Sequence, residues 1–272
     1  MKVLVIIGDH PRNLGLLNKL YDQKDINVDS VVLFKRENLS PKPPNNLSIK
    51  LKKYWKLHFK KRYKTEKKYF NQKKIKIKNN IIKINNEKKF YKKSFLTLIK
   101  KKKFDACFIT GIPIIKNPLL KLLPINTINL HLGLIPFYKG SITMFWPFYF
   151  LEPGMAGTTY HIIDKYVDTG EILHNSIPKL EKGDGLHDVA CKAIVSAHKD
   201  LPKVINEIKK RIRNNILPKK DISLRFKGKL FLRSDWKPEM LELIYGFFKD
   251  KIVDYYLEKK INYKKPKLIK LK

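Results

Sequence analysis

The chain predicts an α/β fold: a doubly wound, mostly parallel Rossmann-like sheet with a short C-terminal β/α appendage. Three observations predict it. Val3–Ile7 is a continuous apolar, β-branched run closed by Gly8; Leu14, Leu17 and Leu20 then recur at helical spacing; and Val28–Phe34 is a second apolar run. Strand, helix, strand in that order calls for parallel pairing through a right-handed crossover. Ligands of such sheets sit beyond the carboxyl ends of the strands, which is where the loop Gly8–Asn13 lies.

The next elements follow from composition and period. Lys35–Asn46, with Pro41, Pro43 and Pro44, reads as a loop, and a basic amphipathic helix follows over Leu51–Tyr69. Ile75–Ile84 carries short β-like runs broken at Asn79 and Asn80, and Phe90–Lys101 returns to helical spacing. Phe104–Ile109 predicts a strand ending at Thr110 and Gly111, then a short helix over Asn117–Leu123 and a strand over Ile125–Leu132. The alternation is enough for a doubly wound sheet.

Past the loop Gly133–Ser141 the pattern changes. Gly157–Ile163 and Gly170–Ile177 read as two strands joined by the turn-prone DKYVDTG, a hairpin rather than a helical crossover. Asp184–Ile212 predicts a long helix capped by Asp184, with Pro202 as a candidate kink. A β-rich piece over Ile222–Leu232 and a helix ending near Asp250 complete the chain. These boundaries divide it into a catalytic domain, residues 1–216, and an appendage, residues 217–272.

The 272 residues suffice for a large core without disulfides, and the two cysteines, Cys107 and Cys191, stand far apart in segments that read as buried. The opening apolar run is too short for a signal sequence. The apolar stretch Ile142–Leu151 is about half the roughly 20 residues that a membrane span needs, so a cytoplasmic protein is expected. The formal charge of +35 would suit a nucleic-acid or anionic-membrane partner. Heavy use of Lys, Ile and Asn throughout, as in Ile75–Lys88, points instead to compositional drift, and nucleic acid is the lesser expectation.

The chemistry concentrates in Asn129–Ile172, which holds NLHLGLIPFYKG and GTTYHIIDKYVDTGEI. Asn129 and His131 stand one residue apart, so on a strand they project to the same side. An amide, an imidazole and a later carboxylate, Asp168, fit acyl transfer to an amine. The acyl oxygen gains negative charge and needs a neutral donor, which Asn129 supplies; the attacking nitrogen loses a proton, for which His131 is suited by an ordinary pKa of about 6.5. Asp168 can hold the imidazole directly or through a water. In the first loop, Gly8, Arg12 and Asn13 precede a helix, an arrangement competent for phosphate. The SITMFWPFYFLEP stretch reads as a buried apolar helix, with Phe145 and Trp146 as alternative pocket-shaping residues.

These two segments resemble the signatures of the folate-dependent formyltransferase family, which includes glycinamide ribonucleotide, methionyl-tRNA and sugar N-formyltransferases. Its Asn-x-His falls on Asn129 and His131, its catalytic aspartate on Asp168, and a supporting Thr-x-His on Thr159 and His161. Leu132 and Gly133 depart from the Pro-Ser that commonly follows the histidine; Lys139 and Gly140 keep the motif's end. The resemblance implies 10-formyltetrahydrofolate as co-substrate and no metal. It sets the pterin against Gly111, Ile112, Ile114, Ile115 and Val167, and assigns Gly8, Arg12, Asn13 and Lys139 to the acceptor.

The length past the long helix favours a nucleotide-linked amino sugar slightly as acceptor, with purine-biosynthetic glycinamide ribonucleotide as the alternative and a homodimer through the tail as a possible assembly. Methionyl-tRNA ranks third, because the tail is short for a separate β-barrel. A non-catalytic basic binding module on the same fold is opposed by the complete Asn129, His131 and Asp168 set.

Overall fold

The computed structural model describes residues 1–70, 80–261 and 263–272. The first half alternates as the sequence implies: β1 (Lys2–Gly8), α1 (Pro11–Tyr21), β2 (Asn27–Phe34), α2 (Ile49–Phe70), β3 (Asn80–Ile84), α3 (Lys93–Lys102), β4 (Ala106–Thr110), α4 (Leu119–Leu122) and β5 (Thr127–His131). After it come β6 (Tyr138–Gly140), α5 (Trp146–Tyr149), β7 (Thr158–Ile162), β8 (Ile172–Ser176), α6 (Leu186–Arg213), α7 (Ser223–Phe226), β9 (Lys229–Phe231) and α8 (Ile252–Leu257). The part of the expected β-like run at Ile75–Asn79 lies outside the described residues.

Seven strands form one sheet in the order β3-β2-β1-β4-β5-β7-β8. It is parallel through β5, and β7 and β8 then pair antiparallel, as the hairpin reading of the DKYVDTG turn anticipated. β1 is interior, between β2 and β4, and its Val3–Ile7 run is fully buried, which explains why it is apolar without alternation. One face packs Val3, Val5, Phe108, Leu130 and Tyr160 against α1 and α6; the other packs Leu4, Ile6, Cys107 and Ile109 against Phe90, Phe95 and Ile99. Both cysteines are buried and free. Among the described residues, no helix is long and apolar enough to cross a membrane.

Several local expectations change. Phe90 belongs to a 3₁₀ turn, Glu87–Tyr91, and α3 starts only after it. α6 begins at Gly185 rather than with Asp184 as cap: Asp184 is turned toward Glu181 and Lys192, while Asp250, from the far end of the chain, accepts the Leu186 N–H at 3.0 Å. The helix runs through Pro202 uninterrupted. The apolar helix expected near Phe145 is a single turn, and Phe145 and Trp146 are core residues against Leu241, Ile244 and Tyr245, not pocket walls. The β-rich tail piece contributes one helical turn, α7, and only three strand residues, β9. The helix expected to end near Asp250 is a 3₁₀ turn and a π-helical stretch, Glu242–Phe247, with α8 beyond it.

α2 lies across α1, α6 and the π-helical stretch. Its inward face carries His58, whose Nδ1 meets the Tyr245 hydroxyl at 2.9 Å and whose ring lies tilted at 4.5 Å from that of His187. Burial, reinforced by Arg62, pushes His58 down to about 3; burial with His58 and Arg62 holds His187 well below its ordinary value; and burial takes His198 to about 4. Each imidazole is neutral when folded and takes its proton on unfolding, so the unfolded chain binds more protons below about pH 6.5 and stability rises with pH through that window. Urea-denaturation midpoints are therefore expected to fall steadily from pH 7 to pH 5, each histidine contributing up to about 1.4 kcal/mol per pH unit. His198→Leu should flatten the dependence, and an unchanged slope in that variant would exclude His198 as a contributor.

Candidate functional site

The antiparallel register of β5 and β7 sets Asn129 opposite His161 and His131 opposite Thr159. Alternation turns these four side chains to one face, while Leu130 and Tyr160 between them enter the core on the other. Asp168 reaches the same face from the β7–β8 turn, held at φ +52°. Its Oδ2 lies 3.4 Å from His131 Nδ1 and its Oδ1 3.5 Å from His161 Nε2. Those separations leave no room for an intervening water, so Asp168 faces both imidazoles directly.

The hydrogen bonds fix which nitrogen does what. His131 Nε2 is 2.9 Å from the Tyr138 carbonyl, which can only accept, so Nε2 carries the proton and the lone pair on Nδ1 faces Asp168. His161 Nδ1 donates likewise to the Ile162 carbonyl at 3.2 Å, leaving Nε2 to accept from the Asn129 amide at 3.0 Å. Asn129 thus has one N–H oriented by His161 and a second to offer. Asp168 Oδ2 also accepts the Gly140 N–H at 2.7 Å.

Burial works to raise the Asp168 carboxyl, but the attraction of the protonated forms of His131 and His161, together with the Gly140 N–H, outweighs it and holds it below the usual carboxylate range. Burial lowers His131, against the opposing pull of Asp168 and the Tyr138 carbonyl. His131 is therefore neutral near pH 7, with a carboxylate beside the nitrogen that would receive a proton.

Thr159 supports the site by holding the loop after His131. Its hydroxyl donates to the Gly133 carbonyl at 2.7 Å and accepts the Ile135 N–H and the Asn175 amide, each at 3.0 Å. Thr143 ties the same loop by donating to the Leu132 carbonyl. Gly140 is required by backbone geometry: it sits at φ +91°, and a Cβ there would lie 2.2 Å from the Phe231 carbonyl oxygen.

The other expected residues divide. Gly8, Asn13 and Gly111 come together at the carboxyl edge of β1 and β4: Asn13 is 3% exposed and its amide packs on both glycines, Gly111 standing at φ +63° with no room for a side chain. Ile115 is buried and Ile112 and Val167 half-buried, while Ile114 is exposed at the rim. Arg12 is turned to a protein carboxylate. Its guanidinium meets Glu66 of α2 at 3.2 Å, and Arg62 donates to the same carboxylate oxygen at 2.9 Å. Lys139 does not face an acceptor: it is 2% exposed and its ammonium donates to the carbonyls of Leu224, at 2.8 Å, and Arg225, at 3.2 Å.

Sequence reasoning missed the backbones of Tyr138 and Gly140, the Glu66–Arg62 pair, and Arg36, whose guanidinium donates to the Gly111 carbonyl at 3.1 Å. Glu66, the one acid in a helix otherwise rich in lysine, was the available signal for the pair.

Kinetics should report this electrostatic balance. The acid limb of kcat/KM is expected below about pH 6.5, because burial lowers His131. Asp168→Asn removes a contribution that raises His131, so the limb should move further down as turnover drops about 100-fold or more. A limb that stays in place would separate Asp168 from His131. Thr159→Val leaves three polar partners unsatisfied and should cost about 1–3 kcal/mol of stability in urea titrations.

The family model described as Formyl transferase matches residues 1–205. Among solved structures, the chain is similar to glycinamide ribonucleotide transformylase 1 from Symbiobacterium toebii, at 17% identity and TM-score 0.51 over 78% of this chain and 89% of that one. It is similar to phosphoribosylglycinamide formyltransferase from Anaplasma phagocytophilum, at 17% identity and TM-score 0.52 over 77% and 87%. A 4-N formyltransferase from Francisella tularensis matches at 20% identity and TM-score 0.52 over 86% of this chain and 78% of that one.

Proposed function

The chain belongs to the formyl transferase family, and from that premise we propose that it moves the formyl group of 10-formyltetrahydrofolate to the primary amine of a nucleotide-linked amino sugar. The observation that carries the reaction is the convergence of Asn129, His131 and Asp168 on one face of β5 and β7, with an unused amide N–H and a neutral imidazole between them.

The folate supplies a formyl carbon already bonded to a leaving nitrogen. Its seat is proposed between the loop after β4 and the turn into Asp168. There Gly111 admits close backbone approach, and Ile112, Ile115 and Val167 offer apolar contact. Asn129 donates its second N–H to an oxygen gaining charge, and its bond to His161 keeps the amide from rotating away. His131 accepts a proton at Nδ1, because Nε2–H is committed to Tyr138, and Asp168 stabilises the cation that results. The proton then returns to the departing nitrogen from the same imidazole.

The amino-sugar acceptor is supported by what fills the first loop. A phosphate anchored at Arg12 would have to compete with the Glu66 carboxylate, which is 2% exposed and shared with Arg62. A protein carboxylate already engages the guanidinium that a small phosphorylated amine would need, which favours an acceptor anchored elsewhere by a larger nucleotide.

The test offers the purified protein 10-formyltetrahydrofolate with separate pools of nucleotide-linked amino sugars, glycinamide ribonucleotide and methionyl-tRNA, following tetrahydrofolate release and acceptor mass together. Formylation is expected in the amino-sugar pool, with kcat/KM about 100-fold or more lower in His131→Ala. Formylation only of the ribonucleotide or the tRNA would overturn the acceptor, and no folate binding at all would overturn the reaction.

A further inference from the structure

We propose that the C-terminal segment is part of the catalytic centre, because β9 holds the short strand on which both His131 and Asp168 are hung. β6 is only three residues long and stands apart from the main sheet; among the described residues its one strand partner is β9, in parallel register, Tyr138 with Lys229, Lys139 with Leu230 and Gly140 with Phe231.

Backbone polar groups of an extended strand alternate between its two edges. Toward β9, the Phe137 carbonyl accepts from Lys229 N at 3.2 Å and Ser141 N donates to the Phe231 carbonyl at 2.8 Å. On the opposite edge the intervening residues serve the site: the Tyr138 carbonyl accepts from His131 Nε2, and Gly140 N donates to Asp168 Oδ2. One edge of β6 is thus fixed by the tail and the other fixes the reacting groups.

Side chains repeat the connection. The buried Lys139 ammonium is bonded to two carbonyls of α7, those of Leu224 and Arg225, in an interior position where an ammonium without such partners would be costly. Phe231 stacks on Trp146 at 4.5 Å and on Tyr138 at 5.8 Å. Arg225 lies 3.9 Å over the ring of Tyr166, two residues before Asp168. The tail therefore pairs with the two residues that bear the histidine's acceptor carbonyl and the aspartate's donor N–H, and packs on the turn carrying the aspartate. Lys139, Lys229 and Phe231 are positioning residues, acting through β6 on groups they do not touch.

The kinetic part of the test rests on the formyl-transfer reading; the spectroscopic part does not. Two variants of the full chain are compared with the parent: Lys229→Pro, which removes the N–H given to Phe137 at the first residue of β9, where proline is tolerated, and Lys139→Met, which removes the ammonium and keeps the bulk. Both are expected to lower kcat about 10- to 100-fold while the KM for folate moves about threefold or less, the signature of misplaced reacting groups. In the free protein, the His131 Nε2–H resonance should lose its hydrogen-bonded shift and exchange faster with water. Parent-like kcat and an unmoved His131 resonance in both variants would overturn the proposal. So would a lowered melting temperature with kcat per folded molecule unchanged, which would make the tail a stabiliser only. A shifted resonance with no measurable transfer in any form, parent included, would support the strand coupling and count against the reaction instead.

Discussion

The site depends on keeping one carboxylate charged where water barely reaches it. Asp168 is placed by a left-handed turn at the end of a hairpin, and an isolated charge in that position would be protonated rather than tolerated. Three groups from three different strands converge on it: the Gly140 N–H from β6 donates to it, and His131 from β5 and His161 from β7 stand 3.4 and 3.5 Å away, each favouring the charged carboxylate when its imidazole holds a second proton. Each requirement reaches outward. The two histidines need the antiparallel register that pairs β5 with β7, and the Gly140 N–H needs a glycine at positive φ and a strand held at that height. Thr159 and Asn175 then keep the intervening loop from relaxing.

The same reasoning explains where a chain with 24 acids against 59 lysines and arginines uses its carboxylates. Several of the acids are inside or at seams, each bonded to cations or to backbone N–H groups. Glu66 joins α2 to the first loop, Glu171 receives Arg211 through two bonds at 2.8 and 2.6 Å, and Asp250 takes both the Leu186 N–H and the Lys61 ammonium. In partly buried positions such charge-assisted bonds are stronger and less screened than surface pairs. The positive excess is correspondingly left outside, as on α2, where Lys53, Lys56, Lys60, Lys64 and Lys67 are exposed while its single acid points inward. That asymmetry sets the positive excess on the outer face of the helix.

Much of the fold was legible because it is governed by local period. The unbroken apolar run Val3–Ile7 announced a strand buried on both faces, and the DKYVDTG turn announced the hairpin that carries Asp168. The same-side relation of Asn129 and His131 followed from strand alternation, and its match in Thr159 and His161 is what the register turns into facing pairs. What escaped was non-local or backbone-borne. The Asp184 cap failed because Asp250, 64 residues away along the chain, supplies the acceptor instead. Arg12 and Lys139 were read as ligand cations because a cation beside a glycine loop carries no mark of its protein partner. Those partners, Glu66 and the carbonyls of Leu224 and Arg225, lie 54 and 85 or more residues away. β6 escaped for a simpler reason: three residues containing Tyr, Lys and Gly have no period to read.

These distant partners bear on how the tail should be regarded. A segment that merely follows a finished domain would meet it through side chains at the surface. Here the tail supplies backbone bonds to β6, carbonyls to a buried lysine, a carboxylate to the start of α6 and, at Ile269, a strand-like partner for Asn175, whose side chain reaches Thr159. Each is a contact that the rest of the chain would otherwise leave as an unsatisfied polar group in its interior, and such groups cost more to expose and strand than an apolar patch of the same size. The catalytic half is therefore incomplete in its hydrogen bonding without the tail.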